Sequence, residues 1–186
     1  MGGQIMPVVI GSGFYRSRVI DVPSYLEVPT KSVVRMALGN ALNDKLPNAV
    51  CLDLFAGSGA VGIEFISRGA EKCYFVDENQ EATTVIRNNL AKLKCNQGEI
   101  LHGDALKALE VLADKAVKLD IVFIDPPYAQ MDLYPSTVQY LLDHALLRDG
   151  AAVVVEYETE PKLPFNAFLR YKTYNYGKSH LMILWR

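Results

Sequence analysis

The run Asp53-Leu54-Phe55-Ala56-Gly57-Ser58-Gly59-Ala60-Val61-Gly62 sets a carboxylate ahead of three glycines in the pattern GxGxxG. Glycines at that spacing let the backbone turn sharply and approach a ligand, and free amides opening the next helix attract negative charge. Asp77 lies 20 residues beyond Gly57, where a carboxylate at a strand end accepts hydrogen bonds from ribose hydroxyls. Alone, these features suit an NAD enzyme as well as any other nucleoside binder. Asp53 shifts the balance, because an acid before the glycines suits a ligand bearing an ammonium group better than one bearing a pyrophosphate. Further on, the Asp104 carboxylate after Gly103 either caps a following helix or accepts from an adenine amino group; the residues fit both.

Asp125-Pro126-Pro127-Tyr128 carries the most specific chemistry. The amino group of a nucleobase is a poor nucleophile, since its lone pair is delocalised into the ring. A carboxylate and a backbone carbonyl accepting its two N–H bonds pull the nitrogen towards tetrahedral geometry and aim the lone pair at an electrophile. Paired prolines fix φ near −65° and donate no hydrogen bond, so the Pro126 carbonyl can be held rigidly for that task. Tyr128 offers a flat face on which a flipped base can stack, worth about 1–3 kcal/mol. His102, His144 and His180 read as structural, and Tyr171, Tyr174 and Tyr176 suit an ordinary strand as well as base stacking.

These residues need strands that end beside one another. Short apolar runs closed by Gly, Asp or Pro predict strands at Val50–Leu54, Lys72–Asp77, Glu99–Leu101, Ile121–Asp125 and Ala151–Glu156. Between them, Gln80–Lys94 has an apolar face of Ala82, Val85, Ile86, Leu90 and Leu93 behind a capping Asn79. Asp132–Leu147 repeats the pattern with Val138, Leu141, Leu142, Ala145 and Leu146, stopped by Gly150. Alternating strands and helices predict an α/β fold, a mostly parallel sheet with helices on both faces. Pro7–Ile10 and Phe14–Val22 read as an N-terminal β-hairpin turning at Gly11-Ser12-Gly13, with Arg16 and Arg18 on one of its faces. A helix from about Thr30 turns Val34, Ala37, Leu38, Ala41 and Leu42 inward. Leu169–Tyr176 and His180–Trp185, joined at Gly177-Lys178, predict a closing antiparallel pair.

The 186 residues suit one domain, and 50% apolar with 22% charged residues excludes a disordered chain. Neither a membrane span nor a signal peptide is visible, so a cytoplasmic location is expected. Cys51, Cys73 and Cys95 recur every 22 residues, the length of one strand-plus-helix unit, and read as reduced structural thiols. Net charge is −2, yet residues 1–35 carry four Lys or Arg against two acids and residues 162–186 carry five against none, leaving 36–161 at −9. Basic flanks around an acidic body suit termini that face a polyanion.

With those motifs in place, the chain resembles the class I S-adenosylmethionine-dependent methyltransferases and, within them, the RsmD family of bacterial 16S rRNA guanine-N2 methyltransferases. The resemblance spans nearly the whole chain: the N-terminal hairpin, Pro29-Thr30-Lys31-Ser32-Val33-Val34-Arg35, the glycine loop, Ser67-Arg68-Gly69-Ala70, Asp125-Pro126-Pro127-Tyr128 and Tyr176-Gly177-Lys178. The chain departs from the family pattern at Val28 (usually Arg), Gly39 (usually Phe) and Ser17 (usually Gly). The resemblance implies a Rossmann-like seven-stranded sheet and S-adenosyl-L-methionine as cofactor. Asp53, Phe55, Ala56, Gly57, Ser58 and Gly59 would then lie at its methionine part, Asp77 and Glu78 at the ribose, Asp104 and Ala105 by the adenine, and Thr30 also at the cofactor. Asp125, Pro126, Pro127 and Tyr128 would position the target guanine amine, with Arg16, Arg18, Lys31, Arg35 and Lys178 on RNA.

The expected substrate is 16S rRNA in a partly assembled 30S subunit, modified by a monomer without metal. One domain, 1–186, is expected, with 1–29 as an extension on a catalytic core of 30–186. A DNA amino-methyltransferase shares the chemistry but usually carries a target-recognition region for which this chain has no room. An NAD dehydrogenase has no use for Asp125-Pro126-Pro127-Tyr128, and a cofactor-binding assembly factor would leave rRNA methylation unchanged.

Overall fold

The structure is a computed structural model that describes residues 7–26 and 30–186. Val8–Val9 (β1) and Val19–Ile20 (β2) form a two-stranded antiparallel sheet, pairing Val8 with Ile20 and Val9 with Val19. After it come the helix Ser32–Ala41 (α1) and the alternating series Val50–Asp53 (β3), Ala60–Ser67 (α2), Lys72–Asp77 (β4), Gln80–Leu93 (α3) and Gly98–His102 (β5). The series continues through Ala105–Asp114 (α4), Leu119–Ile124 (β6), Leu133–Asp143 (α5) and Leu147–Tyr157 (β7). A short 3₁₀ turn at Phe165–Ala167 leads into Arg170–Tyr176 (β8) and Ser179–Trp185 (β9). Seven strands make one sheet in the order β5-β4-β3-β6-β7-β9-β8; β3 to β7 run parallel and the last two antiparallel. The predicted α/β architecture and closing pair are therefore observed.

Burial on both faces explains why the central strands are continuous apolar runs. Cys51, Phe75, Phe123 and Val154 point into a core shared with α1, α2, α3 and the hairpin, while Leu52, Val122, Val153 and Val155 point into a core shared with α4 and α5. Helix α2 is buried along its whole length, which suits its apolar circumference. Its one acid, Glu64, accepts from the Gly11 amide at 2.9 Å and pairs with Arg68 at 3.3 Å. The Arg68 guanidinium lies over Gly39, where a Cβ would come within 2.3 Å of its Nε. A Phe at position 39 would displace it. Cys51 and Cys73 sit in register on β3 and β4, so their 22-residue spacing is the length of one β–α unit; all three cysteines are free.

Four expectations need correction. The strand read over Phe14–Val22 is confined to Val19–Ile20, because Tyr15 turns inward and residues 14–17 form a turn seated on the end of α2. The Phe14 amide donates to the Ser67 carbonyl at 2.7 Å and the Tyr15 amide to Ser67 Oγ at 2.9 Å. Arg16 hence lies in that turn and Arg18 just after it, and the two do not alternate on a strand. On α1, Ala41 is exposed and Ala37 half-buried, whereas Arg35 and Gly39 are buried. Helix α5 stops at Asp143, and an Ala145 at φ 48 reverses the chain. Leu146 then offers its carbonyl to the Leu119 amide at 2.8 Å, so β7 starts at Leu147 and Gly150 (φ 75) lies within a strand irregularity, not at a helix stop.

Candidate active site

In a parallel sheet, ligands lodge beyond the carboxyl ends of the strands, where the chain's winding reverses direction. Here β3, β4 and β5 wind one way and β6 and β7 the other, so the reversal falls between the tips of β3 and β6. A cavity of about 420 Å³ opens there. It is lined by Thr30, Asp53, Phe55, Ala56, Gly57, Ser58, Asp77, Glu78, Asp104, Ala105 and all four residues of Asp125-Pro126-Pro127-Tyr128. Gly59 is the one expected cofactor residue outside the lining; it caps α2 at φ 77, and a Cβ there would press on Ile86 at 3.1 Å.

The glycine loop is pinned on two sides. The Leu54 amide donates to the Phe123 carbonyl at 3.0 Å and the Ala56 amide to the Val76 carbonyl at 2.9 Å. Asp77 accepts from the Gly57 amide at 2.8 Å and, through its other oxygen, from the Asn79 amide at 2.9 Å. Each carboxylate oxygen keeps a second lone pair for a donor in the cavity. Gly57 (φ 53) needs the left-handed region. Asp104 caps α4 by accepting from the Lys107 amide at 3.1 Å and also lines the cavity, so capping does not turn it away from a ligand there.

Asp53 is 1% exposed and accepts from the Gly62 amide at 2.9 Å. Burial pushes its pKa up to about 7, the Gly62 hydrogen bond opposes this and Asp77 adds to it. Burial, Glu156 and Asp53 raise the Asp125 carboxyl well above the usual carboxylate range. Crowded acids of this kind lack a countercharge, and a cationic ligand would supply one. Next in the chain, the Gln130 amide closes a turn on the Pro127 carbonyl at 2.8 Å, whereas no backbone amide of the described residues takes the Pro126 carbonyl. Tyr128 stands 70% exposed beside it.

The expected RNA residues scatter. Lys31 is the exposed N-cap of α1 and Lys178 sits in the exposed β8–β9 turn, level with the end of β7. Arg35 is 4% exposed, and its guanidinium donates to the carbonyls of Thr30 and Val9. It clamps the hairpin to the cavity rim and is not available to RNA. Arg16 and Arg18 lie at the Ser67 end of α2, about 12 Å along an eight-residue helix from the cavity end. Glu27, Val28 and Pro29, which include the departure at Val28 and the start of Pro29-Thr30, fall outside the described residues. Tyr25, Leu26, Gln130 and Leu133 line the cavity without having been expected, since nothing in their spacing sets a loop residue apart. Among the described residues, no cluster of His, Cys, Asp and Glu could hold a metal, and no helix is long and apolar enough to cross a membrane.

The family model described as Conserved hypothetical protein 95 matches residues 8–185. Ribosomal RNA small subunit methyltransferase D of Escherichia coli K12 is 37% identical over 163 residues, which cover 87% of this chain and 79% of that protein. The protein of the same name from Haemophilus influenzae is 31% identical over 159 residues, covering 84% and 81%. Among solved structures, the Escherichia coli protein yhhF superposes with a TM-score of 0.82 at 29% identity, covering 97% of this chain and 98% of that one.

Proposed function

The chain belongs to the Conserved hypothetical protein 95 family, that of the RsmD methyltransferases, and from this premise we propose that it methylates the exocyclic N2 amine of a guanine in 16S rRNA. The cofactor is S-adenosyl-L-methionine. One observation carries the reading: the Asp53 and Asp125 carboxylates, at the tips of adjacent strands, line one cavity that also holds Pro126 and Tyr128.

The cavity residues fit that cofactor. Asp53 is a dry carboxylate with one hydrogen bond, placed for the ammonium group; Asp77 suits two ribose hydroxyls, and Asp104 the adenine amine. Gly103 has open space where a Cβ would stand, leaving room for a flat ring. When bound, the cofactor supplies an electrophilic methyl group on a sulfonium sulfur. Asp125 and the Pro126 carbonyl accept the two N–H bonds of the guanine amine, and Tyr128 stacks on the ring. Asp53, Asp77 and Asp104 would hold the cofactor so that its methyl is offered in line to the nitrogen lone pair, the C–S bond electrons returning to sulfur. Asp125, with its raised proton affinity, stabilises the cationic nitrogen and takes its proton.

We assign Lys31 and Lys178 to phosphates beside the reacting base, and Arg16 and Arg18 to a more distant strand of the same RNA. Patches so far apart suit a shaped substrate, a partly assembled 30S subunit, engaged by a single chain. Asp125→Ala tests the core of the reading. Transfer of labelled methyl to small-subunit rRNA should fall by about 10³-fold or more with cofactor affinity within a few-fold of native. Turnover retained by that variant, or labelling of duplex DNA in preference to rRNA, would falsify the assignment.

A further inference from the structure

Four neighbouring strands end in an acid: Asp77 closes β4, Asp53 closes β3, Asp125 directly follows β6 and Glu156 is next to last in β7. Each lies two residues beyond a member of the same buried face, namely Phe75, Cys51, Phe123 and Val154. Strand alternation therefore sets all four on one side of the sheet. Register pairs Ile124 with Val155, so Asp125 and Glu156 are direct neighbours across the β6–β7 edge.

The mechanism uses three of these acids and leaves Glu156 over. Its Oε1 accepts from Ser179 Oγ at 2.6 Å, while its Oε2 is buried with no hydrogen-bond partner. Burial raises its carboxyl above the usual carboxylate range, with the Ser179 hydrogen bond and then the Lys31 ammonium opposing the rise. An acceptor kept dry and unpaired costs stability unless a donor arrives. Sheet order says from where. The cofactor cavity spans the tips of β5, β4 and β3, the amine site is at the tip of β6, and β7 comes next. A base whose amine reaches Asp125 therefore has the end of β7 as its neighbour on the side away from the cofactor.

We propose that Glu156 selects guanine, its Oε2 accepting the N1–H of the base whose 2-amine Asp125 holds; this rests on the methyl-transfer reading above. In guanine one of the two ring nitrogens flanking the reacting amine, N1, is an N–H donor. In adenine and cytosine the corresponding ring nitrogen is a bare acceptor, and a carboxylate facing it sets lone pairs against lone pairs. One side chain thus attracts the right base and repels the wrong ones.

The base 2-aminopurine separates the contributions, because it carries guanine's exocyclic 2-amine but has an unprotonated N1. Small-subunit rRNA is prepared with guanosine or 2-aminopurine at the methylated position, and kcat/KM is measured on each. The native chain should favour guanosine by about tenfold or more. Glu156→Gln, whose amide can donate to a bare N1, should shrink that preference by about tenfold while cofactor affinity and melting stay near native. Loss of turnover by the same factor on both RNAs would mean a structural role and overturn the proposal. Should the variant fail to fold, the native chain decides alone, since equal use of both bases overturns it. A native chain that methylates neither RNA removes the methyl-transfer reading itself.

Discussion

A buried acid that must meet a cation is destabilising until the cation comes. Asp53 titrates near 7 in the folded chain against 3.8 when free. It is neutral in both states below the lower value, so its contribution to stability is fully present there. That contribution is lost as pH rises through about 7, where the folded chain must ionise the group in a dry site. Asp53→Asn keeps an acceptor for the Gly62 amide and removes the charge. At pH 8 it should raise the unfolding free energy by roughly 1–3 kcal/mol in urea melts and weaken cofactor binding at least about tenfold by calorimetry. Cofactor affinity of the native chain should climb with pH between about 6 and 7.5, with one proton released, since only the ionised carboxylate pairs with an ammonium group. The acids were legible because each closes an apolar strand, and Glu156 obeys the same rule without belonging to any motif. Arg35 was not legible: a charged residue on a helix reads as solvated, and the carbonyl that satisfies it belongs to Val9, 26 positions away.

Among the elements, parallel strands and α3 were readable, since a run such as Lys72–Asp77 has one use and Asn79 caps by accepting from the Glu81 amide. Where chain direction depends on a distant partner, the pattern misled. The apolar spacing of Asp132–Leu147 continues past the helix only because Leu146 and Leu147 serve the next strand beside Leu119. The hairpin fails as a long strand for a similar reason, its tip being moulded by Ser67. At that tip Ser17 holds φ 65, a region that costs most side chains about 1 kcal/mol and glycine almost nothing. Ser17→Gly should therefore raise stability by up to about 1 kcal/mol in thermal melts without altering methyl transfer. Arg35→Ala should do the reverse, costing about 2–4 kcal/mol by stranding the carbonyls of Thr30 and Val9, with RNA affinity per folded molecule unchanged.

For the molecule as a whole, the proposed RNA path runs from the rim at Lys31 and Lys178 to Arg16 and Arg18 beyond α2. Replacing Lys31 or Lys178 by Gln should lower the slope of log affinity against log salt by about 0.7–0.9 for each lost phosphate contact. Titrations of small-subunit rRNA at several salt concentrations read that slope directly. Fold class followed from the alternation of strands and helices; the meeting of Asp53 with Asp125 depends also on the strand order, and which basic residues reach the rim depends on where loops and turns are tied. One topological detail bears on synthesis. Strand β9, late in the chain, lies between β7 and β8, which both precede it. A nascent chain halted after Tyr176 leaves the valine-rich flank of β7 with one side unzipped and β8 with nothing to join. Ribosome-bound intermediates of that length should recruit chaperones or clump, and the sheet should snap shut only when the final seven-residue ribbon threads into the gap.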